Sequence, residues 1–452
     1  MASRARQAVG PAYLLLCLIL GGSAQGIFFN LLLQLIGLAI IAWAAAAPAD
    51  QQMSRPASLL FLLVIGALLL VALQLVPLPA SLWSRLGARG AIADGYRVLG
   101  IPVPSLPVSL APYATLATIV TVIPAVAMLC AILRLQAYRR SWLALALLAG
   151  TFAGILLGAL QVASGDPQTS PWYLYGFSNF GFAVGFFANA NHMAVLLVIA
   201  LPFLAALLAS ARGGSVQRYS AAVALAAGAA LVIVVGIALN RSLAGYGLAV
   251  PAVAASLLIL LPARSPARLW IAIGSAVLLI AAVVALALSP IGERTLGTSS
   301  SVQSREAINA TTARAIVDFL PLGSGLGTFK PVYKLYEDHD GIVATVINHA
   351  HNDYAELALE MGIPGIILML LFLGWWTVTV WRAWRFADAG PYARAASIAS
   401  AALLAHSLVD FPLRTAALST CFAMCLGLLA ERRTPPAAQP SELWPTRHVV
   451  LE

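Results

Sequence analysis

Long apolar runs, interrupted by short polar breaks, recur along this chain. They fall near residues 11–23, 26–47, 57–76, 111–135, 141–163, 191–211, 219–239, 242–262, 268–288, 360–384, 392–409 and 414–431. A helix needs about 20 predominantly apolar residues to cross a bilayer. The pattern therefore predicts an all-α polytopic membrane protein with about twelve transmembrane helices. The first run is short, and its basic start (Arg4, Arg6) and Gly-Ser-Ala end would also suit a signal peptide. A second apolar run begins within three residues, which favours a genuine first helix paired with the second as a hairpin.

Two polar stretches are long, 77–110 and 289–359. The second far exceeds the roughly 12–15 residues of an ordinary connection. It carries helical and turn signals at 304–319 and from Pro321 to Phe329, so it is expected to be a structured loop before the last three helices. The 77–110 stretch places Trp83, Leu86 and Ile92 among Pro and Gly, and is expected to lie as an amphipathic piece at the membrane interface. The chain thus divides into N-terminal helices (1–170), central helices (171–288), the large loop (289–359), C-terminal helices (360–431) and a Pro-rich tail (432–452) expected to be disordered.

Composition agrees: of 452 residues, 61% are hydrophobic and 10% charged, against about 25% charged in soluble domains. The net charge of +9 comes from basic residues scattered singly between apolar runs. That is no basic stripe for nucleic acid, and it reads as membrane topology. With both termini inside, sixteen of the 26 basic residues fall on the inner side. Most of the outer ones sit in the two long loops, where the positive-inside rule has little force. The cysteines Cys17, Cys130, Cys421 and Cys425 all lie in apolar runs and read as small buried hydrophobes.

Polar chemistry gathers at three places, all on the expected outer face. The densest is His349-Ala350-His351-Asn352-Asp353-Tyr354, followed by Glu356 and Glu360, just before an apolar helix. A histidine near its ordinary pKa of about 6.5 can take a proton from a hydroxyl at neutral pH, with Asp353 or Glu356 to orient its other ring nitrogen. His349-x-His351 with Asp353 could also be read as metal ligands. Asn352-Asp353-Tyr354 looks like a helix start, and no second ligand cluster accompanies the pair, so no metal is expected. The second place is Asn240-Arg241-Ser242, wedged between two apolar runs. An arginine there is expensive unless it faces a cavity or a partner, and its planar fork suits phosphate oxygens. The third is Asn189-Ala190-Asn191-His192 at the start of a span, where the polar side chains either cap the helix or line a cavity. Arg305, Arg314, Lys330 and Lys334 in the large loop are further anion-binding candidates. Asp410 and Arg414 flank Pro412 in the last outer turn and are expected to pair with each other. No phosphate-binding Gly-rich loop is present, so ATP is not implied.

These residues also carry a resemblance. His351-Asn352 is followed by nine residues and then Gly362-x-x-Gly365. Pro321-Leu322-Gly323-Ser324-Gly325-Leu326-Gly327 lies upstream; Asn189-x-Asn191-His192, Arg241-x-x-x-Gly245 and Asp410-Phe411-Pro412 lie elsewhere on the same face. Over roughly residues 175–430 the chain resembles the superfamily of O-antigen ligases and Wzy-type polymerases, glycosyltransferases of the bacterial envelope. The resemblance implies a multi-pass protein of the bacterial inner (plasma) membrane whose active site faces the periplasm. It also implies metal-independent, inverting transfer of a glycan from an undecaprenyl-pyrophosphate-linked donor to a hydroxyl of a glycan or lipid A-core acceptor, with no cofactor. Carried onto this chain, His351 would be the general base and Arg241 the pyrophosphate ligand, assisted by Arg305 or Arg314. Asn352, His349, Asn191, His192 and Lys330 would contact substrate. A protein hydroxyl as acceptor would make the chain an oligosaccharyltransferase of the same superfamily. Readings from other classes are a secondary transporter of an anionic substrate, which twelve spans also suit, and a membrane metalloenzyme built on the histidine pair.

Overall fold

The computed structural model describes residues 4–48, 53–262, 265–288, 305–337, 347–386 and 389–431. The tail 432–452 and parts of the large loop lie outside the described residues. Helices α1 (Arg4–Leu20) and α2 (Ile27–Ala46) form the expected hairpin, tied by Tyr13 Oη donating to Leu33 O at 2.9 Å. Next come α3 (Arg55–Gln74), a small extramembrane unit (β1, Pro77–Leu78; α4, Ala80–Trp83; α5, Arg89–Val98; β2, Leu106–Pro107), and α6 (Pro112–Thr121) with α7 (Ile123–Leu129), which continues through one π turn to Arg134. Helices α8 (Arg140–Ala163), α9 (Ala190–Ser210), α10 (Val216–Asn240), α11 (Leu243–Leu260) and α12 (Ala267–Leu288) follow. The large loop holds α13 (Arg305–Phe319) and α14 (Phe329–Tyr336), and the chain closes with α15 (Asp353–Arg385), α16 (Gly390–His406) and α17 (Ala416–Ala430). The only sheet among the described residues is the antiparallel pair β1–β2.

The protein is an all-α polytopic membrane protein. Nine helical segments among the described residues are long and apolar enough to cross a membrane. The other three expected spans coincide with α1, α16 and α17, which have 17, 17 and 15 residues. At about 1.5 Å per residue they fall short of a bilayer core of about 30 Å. Helices α16 and α17 can be short because they are buried almost throughout and face other helices rather than lipid. α1 begins at Arg4, well before the apolar run, with Pro11 inside it.

Helix α9 is the axis of the bundle. Its sequence is apolar on every side, as a fully surrounded helix requires, and every residue from His192 to Phe203 is buried. Helices α8, α10, α11 and α16 pack around it. α10 and α12, in contrast, leave large apolar side chains such as Leu225, Leu231, Trp270 and Ile280 exposed, as lipid-facing helices do.

The large loop has its own core: Phe319, Phe329, Val332, Tyr333 and Leu359 pack together over the start of α15. The 77–110 stretch is built into this cap, while Leu82, Val98, Leu99 and Ile101 remain exposed. Trp83 is buried and donates Nε1–H to Pro107 O, while the buried Arg89 guanidinium donates to the carbonyls of Val108 and Gly323. Its position between the Trp83 and Phe319 rings explains the burial of a charge there. Burial pushes the Arg89 guanidinium down to about 10. The four cysteines are free and buried, as their apolar settings suggest.

Candidate functional site

Asn352 opens α15, its Oδ1 accepting from the amides of Tyr354 and Ala355 at 3.0 and 3.1 Å. This is an N-cap, satisfying two of the helix's otherwise orphaned donors. The preceding His351 lies in the left-handed region at φ 53°. A non-glycine residue there costs about 1–2 kcal/mol, a strain that turns its ring back toward the bundle. The start of α15 is also fixed from the other side: Asp353 N–H donates to Ser407 O, and Ser407 Oγ donates to Asp353 Oδ2, both at 2.9 Å.

The two histidines of the His-x-His pair point to different carboxylates. His349 Nδ1 lies 3.0 Å from Glu356 Oε1, whose other oxygen accepts from Ala350 N–H. His351 Nδ1 faces Asp410 Oδ1 at 3.5 Å, the outer limit of a hydrogen bond. The pair therefore does not converge on one ion, and no grouping of three metal-ligating side chains exists among the described residues. The partner of His351 is thus Asp410 rather than Asp353 or Glu356. The left-handed backbone at His351 itself turns the ring away from that helix's own carboxylates.

Asp410 is buried and gathers polar groups from three helices. Asn191, on the first turn of α9, donates Nδ2–H to its Oδ2 at 2.7 Å, and Ser242, the N-cap of α11, donates to Asn191 Oδ1 at 2.7 Å. His406 Nε2, at the end of α16, stands 3.8 Å from Oδ2. Burial alone would raise the Asp410 carboxyl, but the facing imidazoles of His351 and His406 outweigh it and hold the group well below the usual carboxylate range. Phe411 is the apolar hub, with the rings of His349, His351 and His192 at 4.2, 5.1 and 5.3 Å from its own.

Arg414 does not pair with Asp410 as expected. It reaches across to α15, with Glu356 at 3.0 Å, Asp353 at 3.4 Å and Glu360 at 3.8 Å. These carboxylates fall at helical spacing on the face of α15 turned toward the α16–α17 turn, and a single arginine answers all three.

The kink at Gly362 joins this site to the cap. Gly362 has φ 58° and ψ −151°, a conformation essentially reserved for glycine. It frees backbone groups of α15 for the 321–327 loop. Ile363 N–H donates to Pro321 O, while the carbonyls of Leu359 and Glu360 accept from Ser324 and Gly325. A Cβ at Gly323 or Gly362 would collide with the opposing backbone.

The other sequence candidates divide. Asn191 and His192 belong to the cluster, His192 buried between Phe187 and Phe411. Asn189 caps α9, its Oδ1 accepting from Asn191 N–H. Arg241 is exposed at the C-cap of α10 with φ 57°, its backbone N–H donating to Ile237 O, and stands one residue from the Ser242–Asn191–Asp410 chain; its guanidinium makes no hydrogen bond or ion pair among the described residues. Arg314 is exposed on α13 and hydrogen-bonds Thr311, and Lys330 is exposed on α14; neither touches the histidine cluster. The side chain of Arg305 lies outside the described residues. Sequence reasoning missed Asp410, His406 and Arg414 as partners of the histidine motif. Their signal was the Asp410-Phe411-Pro412-x-Arg414 turn, but nothing in its position gave the distance to His351.

Against this geometry, residues 227–370 match the model of the O-antigen ligase family. The match spans the end of α10, the large loop and the His351-to-Gly365 motif, and it bears out the resemblance carried by those residues. No curated protein matches the chain.

Proposed function

From the match of residues 227–370 to the O-antigen ligase family model, we propose that this chain transfers a glycan from an undecaprenyl-pyrophosphate-linked donor to a hydroxyl of a glycan or lipid A-core acceptor. The reaction takes place at the periplasmic face of the bacterial inner membrane and needs no metal. The observation that carries the proposal is the partly exposed His351 ring backed at 3.5 Å by the buried Asp410 carboxyl. His351 takes the proton of the acceptor hydroxyl as that oxygen attacks the anomeric carbon. The bond from that carbon to the donor phosphate oxygen breaks on the opposite side, so configuration inverts. Asp410 stabilises the imidazolium that forms, and the leaving pyrophosphate carries away the developing negative charge. Arg241 meets that charge: it is exposed, and it is the chain neighbour of Ser242, where the hydrogen-bonded relay from Asp410 through Asn191 ends. A fixed cation is most effective where charge appears only in the transition state. His349, held by Glu356, which Arg414 also pairs with, shapes the acceptor side, and Asn352 holds the helix start. From the cap, Arg305 or Arg314 assists Arg241 at longer range, and Lys330 attracts the anionic donor.

The test supplies purified protein in lipid, with chelator, with an undecaprenyl-pyrophosphate-linked oligosaccharide and follows glycan leaving the lipid. A ladder of longer lipid-linked chains identifies a polymerase; a single transfer to added lipid A core identifies a ligase. His351→Ala is expected to lower turnover by about 10²–10⁴-fold, the usual contribution of a general base. Arg241→Ala is expected to weaken donor use chiefly. Wild-type turnover in a folded His351→Ala protein would overturn the mechanism.

A further inference from the structure

At the other end of α15 a second feature stands apart from the histidine cluster. A cavity of about 460 Å³ lies between α11, α12, α15 and α16, within the usual range of about 300–1,000 Å³ for ligand pockets. Small side chains on facing helices, among them Ala252, Ala272 and Ala401, leave this space open. Its length is set by α12, from Arg268 to Leu279, which at about 1.5 Å per residue is about 16 Å. That is roughly half of a bilayer core of about 30 Å, or one leaflet.

The walls offer a polar ligand almost nothing. Ser275 donates to Ile271 O, Ser397 accepts from Trp384 Nε1–H and donates to Arg394 O, and Trp376 Nε1–H goes to Ser400. Every one of these polar groups is satisfied within the protein, so the interior is suited to hydrocarbon. The mouth is different. Arg268 and Arg394 both lie against the Trp384 ring, at 5.7 and 5.6 Å. Arg268 gives a hydrogen bond to Leu261 O at 2.9 Å, which occupies one of its five donors and leaves a guanidinium fork facing the cavity. An indole at this level is also the side chain that settles at a membrane–water boundary.

From the apolar trough one leaflet deep and its cationic, tryptophan-lined mouth, we infer that this cavity binds one anionic phospholipid of the leaflet opposite the histidine site. An acyl chain lies between α12 and α16, and the phosphate meets Arg268. The site is separate from the glycan-transfer site and does not depend on what that site does.

Native mass spectrometry of the full-length protein in mild detergent, titrated with phosphatidylglycerol or with phosphatidylcholine of the same chains, tests this. The expected result is one phosphatidylglycerol retained in preference to phosphatidylcholine. Arg268→Gln should weaken retention about tenfold, the loss of one charge-assisted contact, and Arg268→Lys should restore part of it. Ala401→Phe should fill the trough and abolish retention with the melting temperature maintained. Equal retention of both lipids, or unchanged phosphatidylglycerol binding in Arg268→Gln, would overturn the inference. Displacement of the lipid by glycerol phosphate at the lipid's own affinity would do so too, since the trough would then contribute nothing.

Discussion

Asp410 makes one buried negative charge available to two histidines, His351 on the exposed side and His406 within the bundle. Its hydrogen bond from Asn191 and the depressed pKa favour the ionised form. Such a carboxyl contributes stability that is fully present above its unfolded pKa of about 3.9 and is lost as pH falls through the lower folded value. Asp410→Asn should therefore destabilise the protein at neutral pH by about 1–3 kcal/mol, the range for a buried hydrogen-bonded group. The gap in melting temperature between variant and wild type should close as pH is lowered below about 4. A gap that stays constant across that range would show that the Asp410 charge takes no part. His349 and His351 are near neighbours in sequence, yet they serve different carboxylates, so His349→Ala should leave Asp410's environment intact while leaving Glu356 to Arg414 and the Ala350 amide.

At the scale of elements, the joint between α15 and the 321–327 loop holds the cap to the helix that begins at the His351-Asn352 motif. Gly362→Ala would force an alanine into a conformation that strains it by about 1–3 kcal/mol and drive its Cβ into the Pro321 backbone. A drop in melting temperature together with lost transfer is expected. Gly374→Ala is the control: it lies later in the same helix with nothing near its added Cβ, and should be neutral or stabilise by about 0.5–1 kcal/mol. The second joint is Arg89, which ties the 77–110 unit to Gly323. Arg89→Leu would orphan the carbonyls of Val108 and Gly323, at about 1–3 kcal/mol for each buried group left unsatisfied. The cap of that variant should be cut faster by protease than the wild type's, while the spans remain protected. Equal rates would mean that the guanidinium does not hold the two pieces together.

For the whole molecule, the expected topology puts the cap and histidine cluster outside and the α9–α10 turn inside. All four native cysteines are buried, so single cysteines introduced at Lys330 and at Gly213 would report with little background. An impermeant thiol reagent added to the periplasmic side should label the first and spare the second; the reverse pattern would invert the orientation. The sequence by itself determined the helical, membrane-spanning architecture and the residues of the His351-to-Gly365 motif. Both are local properties, one set by apolar length and the other by chemistry and spacing along a few turns. The tertiary structure decided the pairing. His351 and Asp410 are separated in sequence by α15 and α16, and only the antiparallel return of those two helices brings the α16–α17 turn beside the start of α15. The same return carries Arg414 past Asp410 to the α15 carboxylates. It also leaves the two expected anion ligands Arg314 and Lys330 on the cap surface, away from the histidines. A side chain's partner depends on how helices cross, and no periodicity along one helix contains that angle.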